Sequence, residues 1–391
     1  MRPNFADTNS FTSPTNRKNT QFGGTLAGGS SLVALAAGLA LGGGLLMAPA
    51  AFALTGIVAT GSGPGPLTVS APAVVTESAG DGIYATNNSP GTDLTVTATD
   101  VSGSNRGIDA RNYGTGALSV TSTGTVTGSN FDGIHVLNYY ASTGNVNIDV
   151  AEVMGGTFGI FARNYGAGSI SITSSGDVTG TTAAGITAQH MDNSGTDLVI
   201  TTTGAVSGGS RGIDVQHGGT GILSITSTGN VTGTGSRGIS AVNTTRASDD
   251  INITAENVSG GTRGIYAINQ GSGSLSVTSN GTVTGLTGIH AGNTSSAAGD
   301  VAISAASVVG QIDGILAYNK GSGTITVSAM GPVTGVGGFG ISAEQNDVNA
   351  KGDLIISVAD VTGGTDGITA VHNGKGVVGL YGLVGHLSYC R

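Results

Sequence analysis

The sequence predicts an all-β fold, a right-handed parallel β-helix (solenoid) of about 11–12 coils of roughly 26 residues. The first observation is composition: 71 of the 391 residues are glycine, 4% are aromatic and 9% are charged, which is unlike a helical or α/β enzyme. The second is a repeat, because the dipeptide Gly-Ile returns in register at a spacing of 24 to 27 residues. Its positions are Gly82, Gly107, Gly133, Gly159, Gly185, Gly212, Gly238, Gly264, Gly288, Gly314, Gly340 and Gly367.

Each repeat contains three short runs in which apolar and polar residues alternate, which is the periodicity of strands. Residues 107–132 show the template, GIDARNYGTGALSVTSTGTVTGSNFD. No repeat has room for a crossover helix, so equivalent strands can bury their apolar faces only by coiling and stacking in parallel. We expect the following side chains to point inward: Ile108, Ala110, Leu118, Val120 and Val126. We expect the following to point outward: Asp109, Arg111, Ser119 and Thr121.

The chain divides into four predicted segments. Residues 1–53 read as an extended signal peptide, with an apolar run from Leu32 to Met47 and cleavage after Ala53; an uncleaved membrane anchor is the alternative. Residues 54–81 form an irregular N-terminal lead-in and an incomplete leading coil that starts near Leu67. Residues 82–376 form the β-helix coils. Residues 377–391 lose the Ser/Thr-rich template, and we interpret them as an aberrant or truncated tail.

Charge and cysteine content exclude several functions. The formal net charge is −9, which repels phosphate backbones, so nucleic acid is not expected as a partner. The single cysteine, Cys390, rules out an intrachain disulfide and the common cysteine zinc sites. No metal or other cofactor is predicted.

The sixth position of each repeat is polar although it has the inward parity of the Ile and Ala before it. Asn tolerates the conformation of a sharp turn, and stacked amides can hydrogen-bond from coil to coil. We therefore predict a structural turn ladder rather than a catalytic or metal-binding pair at His190 and His217, which share this column. The ladder consists of Asn87, Asn112, Asn138, Asn164, Asn243, Asn269, Asn293 and Asn319.

Four arginines precede a Gly-Ile pair: Arg106, Arg211, Arg237 and Arg263. The last three lie on consecutive coils and form a candidate ladder for an anionic ligand such as a sulfated or carboxylated glycan, with ordinary surface charge as the alternative.

Paired carboxylates of the kind that polysaccharide-cleaving enzymes need are not predicted. Asp109 and Asp214 share a column but are four coils apart, about 19 Å, so they cannot cooperate. Asp249 and Asp250 are interpreted as solvated turn charges, with calcium binding as the alternative, and no catalytic residue is assigned.

A cysteine-poor run of Gly-Ile-x-Ala-x-Asn and Val-Thr-Gly coils behind an extended leader resembles the passenger region of bacterial autotransporters, from Leu67 to about His372. The resemblance implies export, passage through an outer-membrane translocator barrel, and display or release at the cell surface. Residues 377–391 do not supply the many strands of such a barrel.

The expected function is therefore an exported passenger at the cell surface, in the outer membrane or outside the cell, with a structural or adhesive role and no catalysis. Its expected partners are glycans or proteins on host or neighbouring cells. Two alternatives stay open: a polysaccharide-binding or polysaccharide-degrading β-helix protein, and a non-functional truncated autotransporter fragment.

Overall fold

The computed structural model describes residues 31–34, 54–140 and 142–382. Their fold is all-β, with parallel coils of about 26 residues stacked into a solenoid of about 12 turns, which confirms the predicted fold class. The predicted cleavage site, Ala53, lies outside the described residues, as does most of the predicted leader. Ser31–Ala34 of that leader is a strand, and it pairs in parallel with residues 67–70. The described residues contain no helix that is long and apolar enough to cross a membrane.

Each coil has three faces, named by the order in which the chain crosses them. Face 1 carries the Gly-Ile strands, β2 (Ile57–Gly61), β5 (Ile83–Asn87), β8 (Ile108–Asn112), β10 (Ile134–Asn138), β12 (Ile160–Asn164), β15 (Ala184–His190), β18 (Arg211–His217), β21 (Arg237–Asn243), β24 (Arg263–Asn269), β28 (Phe339–Gln345) and β30 (Asp366–His372). Face 2 carries β1 (Ser31–Ala34), β3 (Leu67–Ala71), β6 (Leu94–Ala98), β13 (Ile170–Ser174), β16 (Leu198–Thr202), β19 (Leu223–Ser227), β22 (Ile251–Ala255) and β31 (Val378–Tyr381). Face 3 carries β4 (Val75–Glu77), β7 (Val101–Gly103), β14 (Val178–Gly180), β17 (Val206–Gly208), β20 (Val231–Gly233) and β23 (Val258–Gly260).

Six longer strands continue around a corner of the coil. Four of them run from face 2 to face 3: β9 (Leu118–Gly128), β11 (Val146–Gly155), β27 (Ile325–Gly335) and β29 (Leu354–Gly363). Two continue onto face 1: β25 (Leu275–Asn293) and β26 (Val301–Asn319). Every strand pairing is parallel and joins equivalent template positions, as where Ile134 lies between Ile108 and Ile160.

The core is a stack of small and branched side chains inside the coil. Ile108, Ala110, Leu118, Val120 and Val126 are all fully buried, as their alternation with polar residues predicts. The coil begins earlier than the predicted Leu67, because β2 already pairs with β5 and places Ile57 next to Ile83. The leading coil is therefore more complete than the sequence indicated.

Close approach between coils explains the glycine of each Gly-Ile pair. A Cβ atom added to Gly107 would lie 2.5 Å from Cγ1 of Val126 and 2.6 Å from the carbonyl oxygen of Gly133 on the next coil. Real Cβ atoms do not tolerate such contacts, so this position accepts no larger residue without a shift of the backbone. The same contacts recur at successive Gly-Ile pairs, which keeps the repeat in register.

Carboxylates cap the turn between faces 1 and 2 on every second coil. The Oδ1 atom of Asp300 accepts a hydrogen bond from the backbone N–H of Thr324 at 2.8 Å, and Asp250 accepts one from Ser274 at 2.7 Å. Asp93, Asp197 and Asp353 do the same, and Asn145 uses its amide oxygen in the same way. Asp250 is therefore part of the turn rather than a purely solvated charge, and the structural unit is a pair of coils.

Candidate ligand-binding strip on face 1

The Asn ladder lies inside the corner between faces 1 and 2, and all eight predicted asparagines are fully buried. Nδ2 of Asn87, Asn112 and Asn138 donates to Oδ1 of the next asparagine at 3.3, 3.3 and 3.0 Å. Asn243 donates to Asn269 in the same way at 3.1 Å. Asn293 and Asn319 instead donate to backbone carbonyls of the turn. Oδ1 of Asn87, Asn243 and Asn293 is buried and accepts no hydrogen bond from the described residues. The Nδ2 donors of the ladder are nevertheless engaged with neighbouring amides and turn carbonyls, so its side chains hold the turns.

His190 and His217 interrupt the amide ladder, with ring centroids 5.4 Å apart. Nε2 of His190 lies 3.3 Å from the carbonyl oxygen of Gly166, and Nε2 of His217 lies 3.1 Å from that of Gly221. Burial lowers the pKa of His190, and burial together with the neighbouring His190 lowers the pKa of His217 to about 4. In the part of the chain that the structure describes, no group of three or more His, Cys, Asp or Glu side chains could hold a metal ion.

The outer surface of face 1 carries an ion-pair cluster in its N-terminal coils, which we call the balanced cluster and which consists of Arg106, Asp109, Arg111, Asp132 and His135. Asp109 accepts from Arg106 at 3.0 Å and from Nε and Nη2 of Arg111 at 2.9 and 2.8 Å. Asp132 accepts from Arg106 at 3.4 Å and lies 2.7 Å from Nδ1 of His135. Hydrogen bonds to Asp109 raise the pKa of Arg111.

The structure corrects the expectation for Asp109. Its side chain leaves the coil on the outer side, as the alternation predicts, but it is 0% exposed because the two arginines cover it. Sequence reasoning compared Asp109 only with Asp214 in its own column and missed Asp132, which reaches the same Arg106 from the next coil. Each carboxylate oxygen of Asp109 and Asp132 already accepts a hydrogen bond.

The three predicted ladder arginines lie on the same face in the C-terminal coils, where they meet two tyrosines and a histidine. We call this surface the arginine–tyrosine strip, and it consists of Arg211, Asp214, Arg237, Ser240, Arg263, Tyr266, His290 and Tyr318. Arg237 and Arg263 are paired neighbours on adjacent coils. Their guanidinium carbons lie 4.0 and 5.0 Å from the ring centroid of Tyr266, within the range of cation–π contact.

The strip carries more positive than negative charge. Arg211 forms an ion pair with Asp214 at 2.8 Å. Arg237 donates to the hydroxyl of Ser240 at 3.1 Å, and Arg263 makes no side-chain hydrogen bond to any of the described residues. One carboxylate therefore faces three guanidinium groups, in a chain whose formal net charge is −9.

The pKa shifts of the strip agree with a partly buried, positive environment. Burial lowers the pKa of Arg237, and the neighbouring Arg211 and Arg263 lower it further. Burial, followed by the charges of Arg263 and Arg237, lowers the pKa of His290 to about 4. Burial raises the pKa of Tyr318 to about 12. His290 and Tyr318 are therefore neutral near pH 7, and the strip can offer guanidinium donors and ring surfaces to an anion.

Sequence reasoning named the arginines but missed the aromatic part of the strip. The rings of Tyr266 and His290 lie 5.3 Å apart, and those of His290 and Tyr318 lie 5.8 Å apart. The spacing in the sequence could have indicated this contact. Tyr266 follows Arg263 by three residues, which is the offset that separates Arg106 from Asp109 and Arg211 from Asp214.

The fold places the protein in the class of parallel β-solenoids. No family model matches the chain, and comparisons with curated proteins and with solved structures give no match either.

Proposed function

We propose that this protein is an exported, non-catalytic β-solenoid, the passenger of an autotransporter-like system, which serves as a structural or adhesive rod at the cell surface. Its arginine–tyrosine strip binds acidic glycans. The observation that carries the binding proposal is the excess charge of the strip, in which Arg237 and Arg263 stand next to each other with no carboxylate partner among the described residues. An anion from outside the chain would relieve their repulsion.

The strip suits a glycan because it combines charge with ring surface. Guanidinium groups bind carboxylate and sulfate groups through paired donors. The rings of Tyr266, His290 and Tyr318 extend this surface over successive coils, which rise by about 4.8 Å each. A linear polyanion that runs along the rod would meet one arginine per coil at Arg211, Arg237 and Arg263.

The balanced cluster supports a non-catalytic role. General acid–base catalysis needs a carboxyl group or histidine that can exchange a proton with a substrate. The carboxylates of Asp109 and Asp132 are instead engaged by arginines, a histidine and a backbone N–H.

A binding experiment with matched polymers tests the strip. Dextran sulfate and uncharged dextran of equal length share one backbone, so their difference in affinity reports the anion alone. We expect the intact chain to bind dextran sulfate and the double variant Arg237→Gln, Arg263→Gln to bind it at least about tenfold more weakly, because each lost charge-assisted hydrogen bond is worth about 1.5–3 kcal/mol.

The control removes the same charge elsewhere. Lys351 and Lys375 are exposed, and the double variant Lys351→Gln, Lys375→Gln lowers the net charge by the same amount. An equal loss of affinity in this control would show nonspecific attraction and overturn the assignment of the strip. Export is tested separately by mass spectrometry of surface and culture fractions, where a mature N-terminus at Leu54 is expected and retention in the inner membrane or periplasm would contradict it.

A further inference from the structure

A groove of about 640 Å³ runs along the corner between faces 1 and 2 in the C-terminal coils. We call it the turn groove, and its polar lining includes Arg246, Gln270, Ser295, Lys320, Asn346 and Asp347. These residues come from five successive coils, so the groove is about 19 Å long at the usual spacing of parallel strands. Its volume lies within the range of about 300–1,000 Å³ that is typical of ligand sites.

The groove arises because long and short turns alternate. The turns after Asn243, Asn293 and Gln345 are long and end at Asp250, Asp300 and Asp353. The turns after Asn269 and Asn319 are shorter, so Gln270 and Lys320 lie between ridges formed by their longer neighbours.

Glycines allow the short turns to pack closely against the neighbouring long turns, so that the short turns project less from the coil. A Cβ atom on Gly271 would collide with the carbonyl oxygen of Ser248, and one on Gly321 would collide with that of Ala298. Ser248 and Ala298 are themselves buried beneath the long turns, at 0% and 2% exposure. The floor and the ridges of the groove are therefore fixed by backbone packing.

The N-terminal coils fill the equivalent surface with aromatic rings. The residue after the ladder asparagine is Tyr113, Tyr139 or Tyr165 on three successive coils, and their rings stack with centroids 4.0 and 5.8 Å apart. The same column in the C-terminal coils holds Gln270 and Lys320, whose side chains are exposed. The C-terminal coils thus carry a polar groove where the N-terminal coils carry stacked rings.

The lining of the groove is hydrophilic and cationic. Arg246 and Lys320 are exposed, and neither forms an ion pair with any of the described residues. Asp347 is the acidic side chain of the lining, and its Oδ1 accepts a hydrogen bond from the backbone N–H of Asn349 at 2.9 Å. Amides and hydroxyls from Gln270, Asn346 and Ser295 supply neutral donors and acceptors.

We propose that the turn groove is a binding site for a short linear oligosaccharide that carries carboxylate groups. Arg246 and Lys320 pair with the carboxylates, and Gln270, Asn346 and Ser295 bond to the sugar hydroxyls. This site is distinct from the arginine–tyrosine strip, because it lies on the turn that follows the ladder rather than on the outer columns of face 1 that carry Arg237 and Arg263.

Calorimetric titration with two oligosaccharides of four sugars, an oligogalacturonate and a neutral malto-oligosaccharide, tests the site on the full chain. We expect the oligogalacturonate to bind more tightly than the neutral sugar. The double variant Arg246→Gln, Lys320→Gln should lose at least about tenfold in affinity for it, since two charge-assisted contacts are removed. Ser295→Trp, a change on the ridge of the groove, should block binding by occupying the space.

Separate controls distinguish failure of this proposal from failure of the strip. The strip variant Arg237→Gln, Arg263→Gln removes any oligogalacturonate that binds at the strip, so the binding that remains in this variant belongs to the turn groove. Adding Arg246→Gln and Lys320→Gln to the strip variant should lower the remaining affinity at least about tenfold. The proposal is overturned if the intact chain does not bind oligogalacturonate, if it binds the neutral sugar equally well, or if the strip variant loses binding while the groove variants keep it.

Discussion

The two halves of face 1 place arginine at the same template position and use it differently. Arg106 stands between Asp81 and Asp132 in its column, and Arg237 stands between Arg211 and Arg263. In the first half the guanidinium groups close over a buried carboxylate, and in the second half they lie against each other and against Tyr266. Two neighbours therefore decide whether an arginine of this column stabilises the fold or is available for a ligand. One is the residue three positions ahead in the same coil, and the other is the residue about 26 positions away on the next coil.

The largest difference between the halves should be seen in stability. Arg111→Gln removes two of the three hydrogen bonds from arginine to Asp109, which is 0% exposed. Asp109 keeps its hydrogen bond to Arg106, and a hydrogen bond to a charged group contributes about 1.5–3 kcal/mol, so loss of these two should cost about 3–5 kcal/mol. Arg263→Gln should change the free energy of unfolding by less than about 1 kcal/mol, since it breaks no ion pair with the described residues and removes only the cation–π contact with Tyr266. Hydrogen exchange in the coils around each site measures both effects.

If Arg263→Gln destabilises the protein as much as Arg111→Gln does, the claim that the arginines of the two halves have different roles is contradicted. It would mean that the strip arginines are part of the fold, and the case for a ligand at the strip would then lose its basis.

Much of this architecture could be predicted from the sequence, because one short repeated pattern predicts the strands, the residues that point inward and the turn. The inward parity of Asn138 and the burial of Ile108 follow from alternation alone. The contents of the outer columns could not be predicted in the same way, since Asp109 and Asp132 meet at Arg106 from different coils and different columns. Such contacts depend on side-chain reach between coils, which a one-dimensional repeat does not specify.

The second prediction concerns pH and compares two parts of the buried ladder. Burial and the neighbouring His190 lower the pKa of His217 to about 4, while an unfolded histidine titrates near 6.5. Between these values the unfolded chain binds more protons than the folded chain, so stability falls as the pH falls from 6.5 to 4. The expected loss is about 3 kcal/mol from His217, and His190 shifts in the same direction.

Hydrogen exchange can be followed as the pH is lowered from 7 to 4. The strands that carry the histidines, β15 and β18, should lose protection at a higher pH than β8, β10 and β12, which carry the asparagines of the ladder. The double variant His190→Asn, His217→Asn extends the amide ladder that Asn164 and Asn243 already flank, and it should remove most of this difference. If β15 and β18 lose protection at the same pH in this variant as in the unchanged chain, the histidines are not the cause, and protonation of carboxylates explains the loss instead.

The prediction with the smallest expected effect tests whether equivalent turns in the two halves are equally stable. The comparison of Arg106 with Arg237 assumes that they are. Asp93 in the N-terminal half and Asp300 in the C-terminal half each accept a hydrogen bond from a backbone N–H one coil ahead, at 2.7 and 2.8 Å. Replacement of either by Ala should cost about 1 kcal/mol, whereas replacement by Asn should be nearly neutral, because Asn145 already caps the same turn with its amide oxygen. Similar changes in denaturant midpoint for Asp93→Ala and Asp300→Ala would show that the halves of face 1 differ in side-chain charge alone. A large inequality between the two would show that their turns differ in backbone stability, and the contrast between Arg106 and Arg237 would then have a second cause.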